Sequence, residues 1–134
     1  MSAETFSIGD KSILLVEDNI DNQELVIDML EILGCRLDIA NDGLEAVEKW
    51  KGKKYDLVIM DIQMPRMDGF QATIEIRKLE NQERHTLILA LTASVLAGDR
   101  YKCAQVGMDA YLSKPVTFEI LKEKLHELFF GHPL

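Results

Sequence analysis

Two runs in this 134-residue chain, Ile13-Leu14-Leu15-Val16 and Leu57-Val58-Ile59-Met60, are apolar at every position instead of alternating. A strand with one wet face alternates, whereas a strand covered on both faces does not, so both runs read as central strands of a parallel sheet. Parallel neighbours need crossover connections, and a segment of helical period follows each apolar run. Strands are expected at about 12–17, 36–40, 56–61, 86–91 and 109–113, and helices at about 21–33, 43–51, 69–80, 96–106 and 117–129. The pattern is a βα unit repeated five times, which defines an α/β doubly wound fold.

Composition bounds what such a unit can be. At 134 residues and 47% hydrophobic, the chain suits one domain with a substantial core, spanning about 11–130 between short tails at 1–10 and 131–134. The start Met1-Ser2-Ala3-Glu4-Thr5 has no basic or hydrophobic signal region, and the longest apolar runs are strand-length, so no membrane insertion and a soluble, cytoplasmic protein are expected. Cys35 and Cys103 stand far apart with no metal-ligand spacing and read as packing residues in a reducing compartment. A formal net charge of −8 argues against nucleic acid as a partner, because that affinity rests on basic side chains.

The helix ends carry their own chemistry. Asp21 with Glu24 resembles a capping box, Leu25, Val26, Met29, Leu30 and Leu33 form a core-facing stripe, and Gly34 follows as the stop. Gly52 and Gly107 are expected to end the second and fourth helices in the same way. Thr117 is the expected N-cap of the last helix, whose face is Phe118, Leu121, Leu125, Leu128 and Phe129. Only Tyr101 and Ala104 suggest an apolar stripe on the fourth helix, which marks it as weakly anchored and able to move.

Three runs end on charged residues: Glu17-Asp18 after the first, Asp61 after the third, and Lys114-Pro115 after Ala110-Tyr111-Leu112-Ser113. On neighbouring parallel strands these ends share one sheet edge, where open α/β folds bind ligands. Acids in loops often serve only solvation, but three gathered carboxylates repel unless a cation joins them, which points to a divalent metal and with it a phosphate. Mg²⁺ keeps several waters and takes few carboxylates, so Asp18 is assigned as a direct ligand and Glu17 as a water-mediated one. Pro65 and Asp68-Gly69 are turn chemistry that places Asp61 at a strand end before a tight loop. There Asp61 can be a nucleophile toward phosphorus, with Mg²⁺ and Lys114 offsetting charge, or a further metal ligand. The Thr92 hydroxyl at the end of the fourth run can meet a phosphoryl oxygen, or simply close a strand. The Lys114-Pro115 bond is open to the cis form, which would aim the lysine into the crevice.

With these residues in view the chain resembles a response-regulator receiver domain of two-component signalling, from about Lys11 to the end of the last helix. The likeness rests on Leu15-Val16-Glu17-Asp18-Asn19, on Asp42-Gly43-Leu44-Glu45-Ala46, on Met60-Asp61-Ile62-Gln63-Met64-Pro65-Arg66-Met67-Asp68-Gly69, on Ala90-Leu91-Thr92-Ala93 and on Gly107-Met108-Asp109-Ala110-Tyr111-Leu112-Ser113-Lys114-Pro115. The resemblance implies a flavodoxin-like fold with strand order 2-1-3-4-5 and phosphoryl transfer from a phosphohistidine onto Asp61. It further implies that Glu17, Asp18, Asp61 and the Gln63 backbone carbonyl serve Mg²⁺. Lys114 and Thr92 would then meet the phosphoryl group, and Tyr111 would be the aromatic switch. The fourth helix, fifth strand and last helix would form the output face toward a downstream protein.

Glu17 stands where many members of that family have Asp, a longer arm that still suits a water-mediated contact. Gln63 and Ser94, two residues beyond Asp61 and Thr92, occupy positions that tune the lifetime of the acyl phosphate in the family, and neither is acidic or aromatic. No output domain is expected beyond Phe130, so the signal is expected to leave by protein contact or by passing the phosphoryl to another histidine. The motifs most resemble receivers of hybrid sensor kinases, which favours a phosphorelay with a histidine kinase or histidine phosphotransfer protein. The alternative is a single-domain regulator acting only through protein binding. An aspartate-nucleophile phosphohydrolase is more remote, because it needs an acid where Gln63 stands. An interaction module that has given up phosphate would be expected to lack Asp61, the acid pair or Lys114. A flavin site fails on the acidic Asp18-Asn19-Ile20-Asp21-Asn22 loop, which would repel a cofactor phosphate.

Overall fold

The computed structural model describes residues 8–64, 66–80, 85–93 and 97–131. Five strands, β1 (Ser12–Val16), β2 (Arg36–Ala40), β3 (Leu57–Asp61), β4 (Leu87–Thr92) and β5 (Ala110–Ser113), alternate with five helices, α1 (Ile20–Leu33), α2 (Gly43–Gly52), α3 (Gly69–Leu79), α4 (Ala97–Val106) and α5 (Phe118–Phe130). All pairings are parallel and the strand order is β2-β1-β3-β4-β5, as the resemblance implied.

Parity along each strand decides which layer a side chain joins, because successive side chains leave opposite faces. Leu14, Val16, Val58, Met60, Ile88 and Ala90 point into one core with Ala46, Trp50, Phe70, Ile76 and Cys103. Ile13, Leu15, Leu57, Ile59, Leu89 and Leu91 point into the other with Val26, Leu30, Leu121 and Leu125. The continuous apolar runs are thus two interleaved half-strands serving two cores. Ile8, in the stretch read as a tail, is fully buried in the second core, and its carbonyl accepts the Lys11 N–H.

Several details differ from the sequence expectation. Helix α1 is capped by Asn19, not Asp21: Asn19 is extended and its side chain accepts the Asn22 N–H, while Asp21 sits in the first turn, where its charge faces the positive helix end. Leu25 is 47% exposed, so the core stripe of α1 is Val26, Met29, Leu30 and Leu33. Gly34 and Gly107 do adopt the left-handed conformation, but Gly52 is the last residue of α2, and extended Lys53 ends that helix. On α4 the anchor is Cys103, with Val106 half-buried, while Tyr101 and Ala104 face solvent. Thr117 caps α5 as expected, accepting the Ile120 N–H. Pro65 and Ser94 lie outside the described residues. No helix among the described residues is long and apolar enough to cross a membrane.

Candidate functional site: an acidic crevice at the strand ends

Strands β1, β3 and β4 end side by side, and their ladder runs on into the loops: Glu17 N–H donates to Ala40 O, Ile62 N–H to Leu91 O and Lys114 N–H to Thr92 O. These bonds hold Glu17, Asp61 and Lys114 at one edge of the sheet. A crevice of about 220 Å³ opens there, lined by Glu17, Asp18, Asn22, Asp61, Gln63 and Lys114. One carboxylate oxygen each from Glu17, Asp18 and Asp61 lies within 4.8 Å of the others, a spacing that fits a single cation. Lys114 Nζ stands 2.9 Å from Glu17 Oε1 and 3.3 Å from Asp61 Oδ2. It therefore meets two of the three acids, while exposed Asp18 faces the mouth of the crevice. The Lys114-Pro115 peptide is cis.

Burial opposes the charge of both inner acids, and their hydrogen bonds make them unlike. Glu17 is fully buried and Asp61 is 4% exposed. Burial, together with the hydrogen bond and charge of Glu17, pushes the Asp61 carboxyl up to about 7, against the pull of Lys114 and the Gln63 N–H. Burial also opposes the charge on Glu17. Hydrogen bonds from Asp61, Lys114 and the Asn19 N–H outweigh it and hold Glu17 below the usual carboxylate range. The Lys114 ammonium is held above its usual value: its own burial opposes this, and the hydrogen bond and charges of the two acids prevail. Of the two inner acids, Asp61 is thus the one whose charge is disfavoured, and Glu17 the one whose charge is favoured.

The remaining residues singled out in the sequence sit around this centre. Gln63 N–H donates to Asp61 Oδ1 at 3.2 Å. Thr92 is buried at the end of β4 and lines an adjoining groove with Gln63, Phe70, Asp99 and Lys102. Tyr111, half-buried on β5 opposite Ala90, packs against the first core with the Arg100 guanidinium 5.0 Å above its ring. It also borders a groove between α4, β5 and α5, with Cys103, Lys124 and Glu127. Sequence reading assigned no role to Gln23 on α1, to Asn41 after β2 or to Arg66 in the loop after β3, which tie the crevice loops to the start of α2. Their signal is tertiary, since no spacing rule pairs a residue of α1 with residues of two separate loops.

A five-stranded parallel sheet with an acidic crevice at its carboxyl edge defines a flavodoxin-like α/β domain. Residues 13–126 match the response regulator receiver domain, and the chain belongs to that family. Over 115 residues it is 45% identical to the peroxide stress-activated histidine kinase mak1 of Schizosaccharomyces pombe, covering 82% of this chain and 7% of that protein. Over 117 residues it is 39% identical to the sensor histidine kinase RcsC of Escherichia coli, covering 87% and 12%. The chain therefore spans only a small part of the length of these curated relatives. Among solved structures it resembles the receiver domain of the sensor histidine kinase PA1611 from Pseudomonas aeruginosa, which carries a magnesium ion coordinated in its active site cleft. That likeness has 44% identity and a TM-score of 0.80, covering 88% of this chain and 96% of that one. It also resembles the receiver domain of the Saccharomyces cerevisiae response regulator Ssk1, solved with the histidine phosphotransfer protein Ypd1, with 33% identity and a TM-score of 0.86 over 98% and 95% of the two chains. The chain is thus a receiver domain of two-component signalling, homologous to those of hybrid histidine kinases and response regulators.

Proposed function

We propose that this domain is a phosphoacceptor switch that takes a phosphoryl group from a phosphohistidine onto Asp61. The observation that carries this reading is the lysine bridge between two strand ends: Lys114 Nζ lies within 3.3 Å of both Glu17 and Asp61, beside a third acid. Asp18, Asp61 and the Gln63 carbonyl would hold Mg²⁺, and Glu17 would act on it through water. When bound, the ion supplies positive charge against the phosphoryl oxygens. An Asp61 oxygen attacks phosphorus, the P–N bond to the donor imidazole breaks, and its electron pair returns to the ring nitrogen. Lys114 neutralises the incoming oxygens, and the Thr92 hydroxyl meets one of them once the phosphoryl group is in place. Tyr111 then turns with Thr92, and the groove between α4, β5 and α5 presents the state to a downstream protein.

The donor or acceptor on this reading is a histidine kinase or a histidine phosphotransfer protein, supported by the likeness to hybrid kinases and to the receiver solved with Ypd1. Exposed Ile20 (65%) and Leu25 (47%), on the first turns of α1 beside the crevice, suit an apolar docking contact for it.

Incubation with a small phosphodonor and Mg²⁺ is expected to add one phosphoryl group. Asp61→Asn is expected to abolish labelling, and Lys114→Ala to slow it by about a hundredfold, the scale of losing a charge that stabilises the transition state. Full labelling of the Asp61→Asn protein would remove Asp61 as the acceptor.

A further inference from the structure

We propose that the β2–α2 turn, Asn41-Asp42-Gly43, is a bracket that sets the spacing between the two loops of the acidic crevice, with Asp42, Gly43 and Arg66 as positioning residues for the cation. The proposal rests on the Mg²⁺ reading above and concerns residues that do not line the crevice. One arm reaches the loop after β1: Gln23 Nε2 donates to the Glu17 carbonyl at 2.9 Å and to Asn41 Oδ1 at 3.2 Å. Asn41 Nδ2 is held in turn by Glu45 Oε2 at 3.3 Å. The other arm reaches the loop after β3. Asp42 divides its two oxygens: Oδ1 caps α2 by accepting the Glu45 N–H at 2.9 Å, and Oδ2 accepts both Arg66 Nε, at 2.7 Å, and Arg66 Nη2. Next to it, Gly43 N–H donates to Met67 O at 3.0 Å.

Two features show that this contact is built for close approach. A Cβ on Gly43 would lie 2.3 Å from Met67 O and 2.9 Å from Met67 C, both backbone atoms that cannot swing aside. Arg66 holds φ +63°, a left-handed conformation that strains a non-glycine residue. Glycine would adopt that backbone without strain but could not reach Asp42, which is 6% exposed. The far side of the loop is tied by Ile62 N–H to Leu91 O and by Gly69 N–H to Ile62 O. Asp61, Gln63 and their neighbours are thereby gripped between β4 and the bracket. Mg²⁺ demands near-octahedral ligands at about 2.0–2.1 Å, so a small shift of this loop relative to Glu17-Asp18 weakens binding.

The test separates positioning from mere stabilisation. Arg66→Gly removes the clamp: buried Asp42 loses a guanidinium that is itself 61% exposed, and the left-handed strain is released, so these two effects on the melting temperature oppose each other and the shift is expected to be small. Its Kd for Mg²⁺, measured by calorimetric titration, is expected to rise about tenfold, the lower end of what outer partners of metal ligands confer. Gly43→Ala is expected to raise Kd similarly, and Arg66→Lys, which keeps the charge but not the two-pronged contact, to fall between. In the metal-free protein, hydrogen exchange of the Gln63 amide, which donates to Asp61, is expected to quicken in Arg66→Gly. A parent-like Kd and unchanged Gln63 exchange in both Arg66→Gly and Gly43→Ala would overturn the bracket, as would a Kd that worsens only in step with lost thermal stability. If the parent itself bound no Mg²⁺, the metal reading would fall, and the bracket would be decided by the metal-free exchange alone.

Discussion

At the scale of residues, the crevice turns on where one proton sits. Asp61 is raised to about 7 by burial and by Glu17, while Glu17 is lowered. The folded-state value of Asp61 lies above its unfolded value near 3.8, so the folded protein binds an extra proton between about pH 4 and pH 7. Its contribution to stability is complete below the unfolded value and is lost as pH rises through about 7. A cation at the site must displace that proton, so Mg²⁺ affinity runs the opposite way. Apparent affinity is expected to climb from pH 5.5 to about 7, by up to about tenfold per unit for one proton, and to level off above. Titration calorimetry in two buffers of different ionisation enthalpy checks this, since up to one proton should be released per ion below pH 7 and little above it. A flat profile with no proton release would show that the pair is already fully ionised. The identities of these acids were legible in the sequence because each follows an apolar strand directly. Their opposite shifts were not, because both carboxylates are buried and only the neighbour that donates to each sets them apart.

At the scale of elements, the helices are unequally anchored. Helix α1 buries Val26, Met29 and Leu30, and side chains of that kind contribute roughly 5–9 kcal/mol together. Among the described side chains of α4, Cys103 is the buried one, and a small sulfur side chain supplies about 1–2 kcal/mol. Amides of α4 are therefore expected to exchange by local opening, about tenfold or more faster than those in the middle of α1 and α5. Hydrogen-exchange NMR measures this directly, and α4 protection equal to that of α1 and α5 would contradict its weak anchorage. That thin anchorage was legible from the charged stretch Asp99-Arg100-Tyr101-Lys102. The anchoring residue was not: Cys103 and Tyr101 lie two apart on a helix, and only the position of β5 decides which side turns inward. Helix starts show the same gap. Asn19 and Asp21 are both good caps, and the choice falls to the residue left extended as the chain leaves the crevice.

At the scale of the whole molecule, the sheet has a chemical edge and a structural one, and their independence is testable. Runs apolar at every position made the sandwiched sheet legible, and the strand-end charges marked its active edge. The network at the other edge left no local pattern, because its members come from α3, from the approach to β4 and from the turn before β5. There Arg77 donates to Gly107 O at 3.0 Å, Thr86 O at 2.8 Å, Glu80 Oε1 at 2.7 Å and Asp109 Oδ2 at 2.9 Å. Its side chain is 17% exposed and that of Glu80 is 7% exposed. Arg77→Ala would leave two backbone carbonyls and a buried carboxylate without this donor, at a cost of about 3 kcal/mol. Urea unfolding should show that loss, while the Mg²⁺ affinity of the folded protein stays at the parent value, since no residue of this network lines the crevice. Chelating Mg²⁺ is expected to do the reverse, blocking phosphorylation while leaving the circular dichroism spectrum intact, because neither core contains Glu17, Asp18 or Asp61. An Arg77→Ala protein that lost Mg²⁺ affinity as well as stability would show that the two edges are coupled through the sheet, and the site could no longer be treated as separable from its scaffold.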